Sequence, residues 1–210
     1  MADHAALRRY FAALAEHGRA LLGRLPIPPA IQPIAATFAT LRPAIDAARA
    51  ETVRTWQALP RPAPPAGRAG DPPVGMNGVG ILADRLTILI CKAHYLRTRY
   101  RRPTQADTIE REQIADIVSC LALARPGHAA LLEKVSPIAV ATAFSGFAAA
   151  CYDLLGANLL MWETQELLYT RDMEAVPAAE LRDYIRFFSQ ANLLRNRCIA
   201  ESERLYWAGD

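Results

Sequence analysis

The sequence predicts an all-α fold: a helical bundle with two long C-terminal helices and a tethered N-terminal helical segment. Apolar residues recur three and four positions apart along most of the chain, which is the spacing of one helix face. No segment alternates apolar and polar residues with the two-residue period of a half-buried strand. Prolines and glycines collect between the periodic stretches, where they end helices.

A proline-rich linker at residues 60–76 divides the chain into two parts. The stretch from Pro60 to Pro73 holds six prolines and two glycines in fourteen residues, a composition that favours an extended chain over a helix. We therefore expect an N-terminal helical segment at residues 1–59 and the main helical bundle at residues 77–210. The sequence leaves open whether the N-terminal segment docks on the bundle or on a partner.

Amphipathic spacing predicts two helices in the N-terminal segment, at residues 4–23 and about 34–59, the second with a kink or a fresh start at Pro43. In the bundle, the stretch from Val79 to Tyr100 carries two neighbouring apolar stripes, which indicates a helix buried on more than one side. Residues 104–124 form the next predicted helix, and its first half is acidic, as the helix dipole favours.

The two long C-terminal helices are predicted from their start signals. Ser136 and Pro137 suit the N-cap and the first position of a helix, and we expect this helix to run to Thr170. Pro177 opens the last helix, which extends to about Tyr206.

The charge balance argues against nucleic-acid binding. Lys and Arg number 24 against 21 Asp and Glu, and the net charge of +3 lacks the concentrated basic face of a nucleic-acid protein. One dense basic cluster exists, and its position is typical of the cationic end of a helix; it comprises Arg97, Arg99, Arg101 and Arg102.

Cysteine usage and hydropathy predict a cytoplasmic protein with no transmembrane segment. The four cysteines are scattered singly through apolar helical patterns, which predicts neither a disulfide framework nor a zinc site; they are Cys91, Cys120, Cys151 and Cys198. The most apolar run, Ile138 to Tyr152, has about 15 residues, short of the ~20 that a spanning helix needs. The polar N-terminus does not resemble a secretory signal.

Polar residues interrupt the apolar patterns of the bundle helices. Asp84 and Lys92 lie on one largely apolar strip of the first bundle helix, so each side chain either reaches the edge of the strip or has a partner elsewhere. The expected inward stripe of the last helix contains an asparagine and an arginine; it comprises Leu181, Ile185, Phe188, Asn192, Arg195 and Ile199. Asn196 follows four residues after Asn192.

These side chains need hydrogen-bond partners, and we expect Glu163 to pair with Arg195. Two interpretations remain open: a buried network that fixes helix register, or a polar pocket for a sugar, a nucleotide-sugar or another small anionic or hydroxylated ligand. In the second, Trp162 or Tyr169 would form a stacking wall. The candidate ligand-binding residues are Asp84, Lys92, Asn158, Trp162, Glu163, Asn192, Arg195 and Asn196.

Two acidic motifs support a different interpretation. The pairs Glu163/Glu166 and Glu180/Asp183 are each three residues apart, so on antiparallel helices they would form a carboxylate cluster suited to Mg²⁺ and a phosphate. This pattern resembles the paired acidic motifs of the all-α MazG-type nucleotide pyrophosphohydrolases. The resemblance implies a Mg²⁺-dependent nucleoside triphosphate pyrophosphohydrolase that uses these four carboxylates; without it, no metal or cofactor is expected.

A second resemblance covers residues 78–205. The stretch Asp84-Arg-Leu-Thr-Ile-Leu resembles a helix of small all-helical bacterial families of unknown function, often encoded among glycosyltransferase and surface-polysaccharide genes. The segment from Asn158 to Glu163 and the stretch Asn192-x-x-Arg195-Asn196 resemble two further motifs of these families. The resemblance implies a bacterial, cytoplasmic context that serves glycan assembly or protein glycosylation.

The preferred hypothesis is therefore an accessory or ligand-binding helical protein, and catalysis is left open. A third possibility is an assembly or scaffold module, because a tethered amphipathic segment suits binding to a partner helix. A protein partner or a homo-oligomer is expected in either case.

Overall fold

The computed structural model describes residues 43–44, 47–48, 50–55, 57–58, 78–114, 116–117 and 144–208. This part of the chain is helical and contains no strand, and the predicted all-α fold with two long C-terminal helices is confirmed. The predicted helix at residues 4–23 and the linker at 60–76 lie outside the described residues, as does most of the predicted second half of helix 104–124.

Four helices carry the bundle in the described part of the chain. They are α1 (Val79–Thr98), α2 (Pro103–Thr108), α3 (Phe147–Thr170) and α4 (Ala178–Ala208). A π-helical turn, Ile109–Gln113, extends α2, and a 3₁₀ turn, Met173–Ala175, lies between α3 and α4. The start of α4 directly after Pro177 agrees with the prediction.

The predicted start of the third bundle helix at Ser136 is wrong as a continuous helix to Thr170. Ser136 itself lies outside the described residues, but the three residues before Phe147 are not helical. Gly146 has a φ of 140°, a conformation that side-chain-bearing residues rarely adopt and that cannot continue a right-handed helix. The glycine therefore sets the N-terminal end of α3.

The helices α1, α3 and α4 pack on one another around a common core. The short connection between α3 and α4 makes them an antiparallel hairpin. Gly80 allows a close approach between α1 and α4, because a Cβ atom at this position would lie 2.2 Å from the carbonyl oxygen of Ile199. The largest fully buried side chains of the core are Tyr95, Tyr152, Tyr206, Phe147, Leu86, Ile90 and Leu154.

The described part of the N-terminal segment docks on the bundle. Val53 is only 5% exposed and belongs to the same core cluster as the residues of α1, α3 and α4. Ala44 and Ala48 are partly buried against that cluster. Of the two positions that the sequence left open for this segment, these residues adopt the one on the bundle.

The predicted apolar stripe of α4 is wrong at its N-terminal end. Ile185 is 56% exposed, whereas the neighbouring Tyr184 is buried. Tyr184 packs with Leu168 of α3 and Phe188 in a small cluster separate from the main core. One neighbouring helix covers a narrower arc of α4 than two do, so fewer positions on each turn are buried here.

No helix in the described ranges has the length and apolar character needed to cross a membrane.

Candidate functional site

A row of polar contacts runs along the interface of α1, α3 and α4, and we call it the polar seam. Its members are Gly80, Asp84, Thr87, Tyr95 and Arg99 of α1, Asn158 and Glu163 of α3, and Arg195 and Glu203 of α4. The contacts fall at three heights. At 1.5 Å per residue, Asp84 lies about 6 Å along α1 from Gly80, and Tyr95 lies about 16 Å further on.

The middle level is an ion pair within a hydrogen-bond network. Arg195 donates from Nε to Oδ1 of Asp84 at 2.7 Å and from Nη2 to Oδ2 at 2.5 Å, a bidentate arrangement. The amide of Asn158 donates to Oδ1 of Asp84 at 3.0 Å and to the Thr87 hydroxyl at 2.9 Å. Thr87 in turn donates to the backbone carbonyl of Asp84. Both carboxylate oxygens of a buried aspartate are thus satisfied.

The first level closes the N-terminal end of α1. The Gly80 amide donates to Oε2 of Glu203 at 2.8 Å, and the indole of Trp207 donates to Oε1 at 2.6 Å. Because the first amides of a helix have no partner within it and carry partial positive charge, a carboxylate here is favourable. Glu203, which is 2% exposed, therefore caps the N-terminal end of α1, where the N-cap residue provides no side-chain hydrogen bond of its own.

The third level lies near the C-terminal end of α1. Glu163 is 4% exposed; it accepts a hydrogen bond from the Tyr95 hydroxyl, and Arg99 donates from Nη2 to both of its oxygens at 2.9 and 3.0 Å. The ring of Trp162 stacks on that of Tyr95 with 5.5 Å between centroids, and the Arg99 guanidinium lies 4.9 Å from the Tyr95 centroid. We call these residues the Trp162 end; they are Tyr95, Arg99, Trp162 and Glu163.

The Trp162 end reaches solvent through Arg99 and Trp162. A quarter of the Arg99 side chain is exposed, and Trp162 is only partly buried. The Nε1 atom of Trp162 is nevertheless buried and has no hydrogen-bond acceptor among the described residues. An indole N–H is a donor only, and a buried donor without an acceptor costs free energy. This end of the polar seam therefore offers one unused donor beside an aromatic surface, a carboxylate and a guanidinium.

The pKa directions show which groups keep their protons. Burial, and then the nearby Glu163 carboxylate, raises the pKa of the Tyr95 hydroxyl well above its ordinary value, so Tyr95 stays a donor. The hydrogen bonds to Asp84 raise the pKa of Arg195, despite the opposing effect of burial. Burial raises the pKa of the Cys91 thiol, and that of Cys151 to about 12. Such thiols are inert rather than nucleophilic.

The structure brings together only part of the predicted site. Asp84, Asn158 and Arg195 meet at the middle level. The predicted pairing of Glu163 with Arg195 is wrong, because Glu163 pairs with Arg99 and Arg195 pairs with Asp84.

The remaining predicted ligand residues lie elsewhere. Lys92 is exposed, so the strip that it shares with Asp84 ends at an edge on its side. Asn192 and Asn196 are partly buried, and the Nδ2 atom of Asn196 has no partner among the described residues. Tyr169, considered as a stacking wall, is 78% exposed. Trp162, the other candidate for the stacking wall, borders the polar seam through its stacking on Tyr95.

The four carboxylates of the acidic motifs have separate surroundings. Glu163 faces Tyr95 and Arg99, as described above. Glu166 accepts from the Tyr100 hydroxyl, Glu180 pairs with Arg171, and Asp183 is exposed. Among the described residues no group of three or more His, Cys, Asp or Glu side chains lies close enough to hold a metal ion. The predicted Mg²⁺ site thus has no cluster of ligands in this part of the chain.

Sequence reasoning missed several members of the polar seam. Tyr95 and Arg99 lie seven and eleven residues after Ile88, close to one face of α1, but Tyr95 reads as an apolar residue and Arg99 as a member of a solvated basic cluster. Glu203 falls among charged residues at the end of α4, where a buried carboxylate is not expected. Only the approach of a second helix distinguishes these residues from their neighbours.

Comparisons with protein-family models, with curated proteins and with solved structures find no match to this chain.

Proposed function

We propose that the protein is a non-catalytic accessory protein of bacterial glycan assembly that binds a sugar or a nucleotide-sugar at the Trp162 end of the polar seam. The observation that carries this proposal is the buried Nε1–H of Trp162, which has no acceptor among the described residues although the indole stacks on Tyr95, the partner of Glu163. The glycan context comes from the resemblance of the three sequence motifs.

The chemistry of the Trp162 end suits a sugar. A sugar hydroxyl can accept from an indole N–H and donate to a carboxylate, and its apolar ring face packs on aromatic surface. Arg99 supplies a planar group with several N–H donors, and its partial exposure leaves some of them accessible. Few polar groups placed on an aromatic wall are typical of small-molecule sites.

The middle level has a structural role in this proposal. Its aspartate, amide and hydroxyl are buried and are satisfied by one another and by Arg195. Such a network fixes the relative heights of three helices, because any other register leaves a charge unpaired. Ligand binding is therefore assigned to the Trp162 end alone.

Calorimetric titration of the full chain tests the proposal, with UDP-glucose, UDP-N-acetylglucosamine, GDP-mannose and free glucose as probes. Trp162→Phe retains an aromatic ring on Tyr95 and removes the N–H donor. We expect this variant to bind the recognised probe about tenfold more weakly, since a hydrogen bond in a buried site contributes about 1–2 kcal/mol.

Trp207→Phe is the matched control. It also removes one indole N–H, but at the opposite end of the polar seam, where Trp207 contacts Glu203. Its affinity for the probe should equal that of the wild type. Absence of binding to every probe, or equal weakening by both substitutions, would rule out the Trp162 end as the site.

A further inference from the structure

The backbone at the end of α1 has an unusual residue in a left-handed position. The amide of Arg102 donates to the carbonyl of Leu96 at 2.7 Å, six residues back, and the amide of Tyr100 donates to that of Tyr95 at 3.0 Å. These bonds span six and five residues, more than the four of an α-helical bond, so the helix ends here in a wider turn in which one residue takes a positive φ. Here that residue is Arg101, with a φ of 56°. Glycine is the usual occupant, because a Cβ atom is disfavoured in this region.

The charges around this turn are not balanced. Arg97 pairs with Asp107 and Glu110, and Arg99 pairs with Glu163. Arg101 and Arg102 are exposed and have no carboxylate partner in the part of the chain that the structure describes. The prediction that the basic cluster only provides cations for the end of a helix therefore does not account for Arg101 and Arg102. Neither has a carboxylate partner among the described residues, and Arg101 also occupies a strained backbone position.

The turn is joined directly to the Trp162 end. Arg99 and Tyr100, the two residues before Arg101, both contact α3, at Glu163 and Glu166 respectively. These contacts hold the start of the turn against the C-terminal half of α3, which also carries Trp162. A ligand at the Trp162 end would thus have an uncompensated pair of arginines as its neighbour.

We propose that Arg101 and Arg102 bind the phosphate groups of the ligand, so that the protein recognises a nucleoside diphosphate sugar through its pyrophosphate and not a neutral sugar. The sugar part of this proposal rests on the proposed function. Arginine presents planar, paired N–H donors that match phosphate oxygens. Their lack of carboxylate partners leaves these donors available for an anion, and the need for a cation at position 101 explains why the position is not occupied by glycine.

Titration of the full chain with inorganic pyrophosphate tests the anion site. Arg101→Gly removes the cation and the strain together, so this variant should melt at a higher temperature than the wild type and bind pyrophosphate about tenfold more weakly. Arg102→Gln should weaken binding similarly. The control is Arg111→Gln, which removes another exposed cation, from the π-helical turn, where it lies 3.8 Å from the carboxylate of Glu112.

The result expected is weakening by the two turn variants and unchanged affinity for the control. The proposal is overturned if the wild type does not bind pyrophosphate, or if all three variants weaken binding equally, which would indicate general attraction of an anion to positive charge.

The two proposals fail in different ways. Binding of a nucleotide-sugar that depends on Trp162 but not on Arg101 or Arg102 would retain the proposed function and overturn the anion site. Binding of pyrophosphate that depends on both arginines, without binding of any sugar-containing probe, would retain the anion site and overturn the proposed function.

Discussion

The ion pair between Asp84 and Arg195 should contribute strongly to the stability of the helix interface. The Asp84 side chain is 7% exposed and that of Arg195 is 26% exposed. Replacement of Arg195 by alanine leaves the carboxylate buried with Asn158 as its remaining side-chain donor, and we expect a loss of about 4 kcal/mol. Replacement of Asp84 by alanine should cost less, about 2.5 kcal/mol, because the freed guanidinium can still reach water.

The double variant should lose about 3.5 kcal/mol, which is much less than the two single losses together, since neither charge is then left unpaired. The coupling energy is therefore about 3 kcal/mol. Urea denaturation followed by far-ultraviolet circular dichroism gives the four free energies of unfolding of this cycle. Lys92→Ala is the control, because it removes an exposed charge from the same helix and should change stability by less than about 0.5 kcal/mol.

Two results would refute this reasoning. Additive losses, within about 0.5 kcal/mol, would show that the two side chains do not interact in solution. A larger loss for Asp84→Ala than for Arg195→Ala would show that exposure does not determine which partner tolerates being left alone.

Three further predictions concern the ends of α1 and its histidine. Gly80→Ala should lower the free energy of unfolding by about 3 kcal/mol, measured in urea, because the added methyl group meets the carbonyl oxygen of Ile199. Burial, and then Arg99 and Arg97, lower the pKa of His94 from its ordinary 6.5. Below about pH 6.5 the unfolded chain binds a proton that the folded chain resists. The free energy of unfolding therefore decreases as the pH is lowered. His94→Gln should lose less stability than the wild type between about pH 7 and pH 5 in urea titrations. Glu203→Gln should lower the free energy of unfolding by about 1 kcal/mol in urea titrations, since it removes the charge from the N-terminal end of α1; an unchanged free energy of unfolding would contradict this.

Local patterns accounted for the helices but not for all of their ends. The period of apolar residues depends on each helix alone, and proline excludes helix from its own position, so α1 and the start of α4 follow from the sequence. Gly146 and Arg101 take positive φ values at the ends of helices, and the period of apolar residues does not mark these positions. An arginine, in particular, is not expected where glycine is usual.

The middle level of the polar seam was partly visible in the sequence. Asp84, Asn158 and Arg195 each interrupt an apolar pattern, and a buried polar group must find a partner. The sequence indicated that these residues would be paired, and the structure shows that they are paired with one another.

The sequence by itself determined the fold class, the long C-terminal helices and the presence of polar groups in their interface, because each is a property of one helix. Only the tertiary structure decided which charges meet. Glu163 pairs with Arg99 and not with Arg195, because α1 runs parallel to α3 and antiparallel to α4, and Arg99 is thereby placed at the height of Glu163. Relative helix height depends on contacts between distant parts of the chain, such as the approach of Gly80 to Ile199, and no local spacing encodes it.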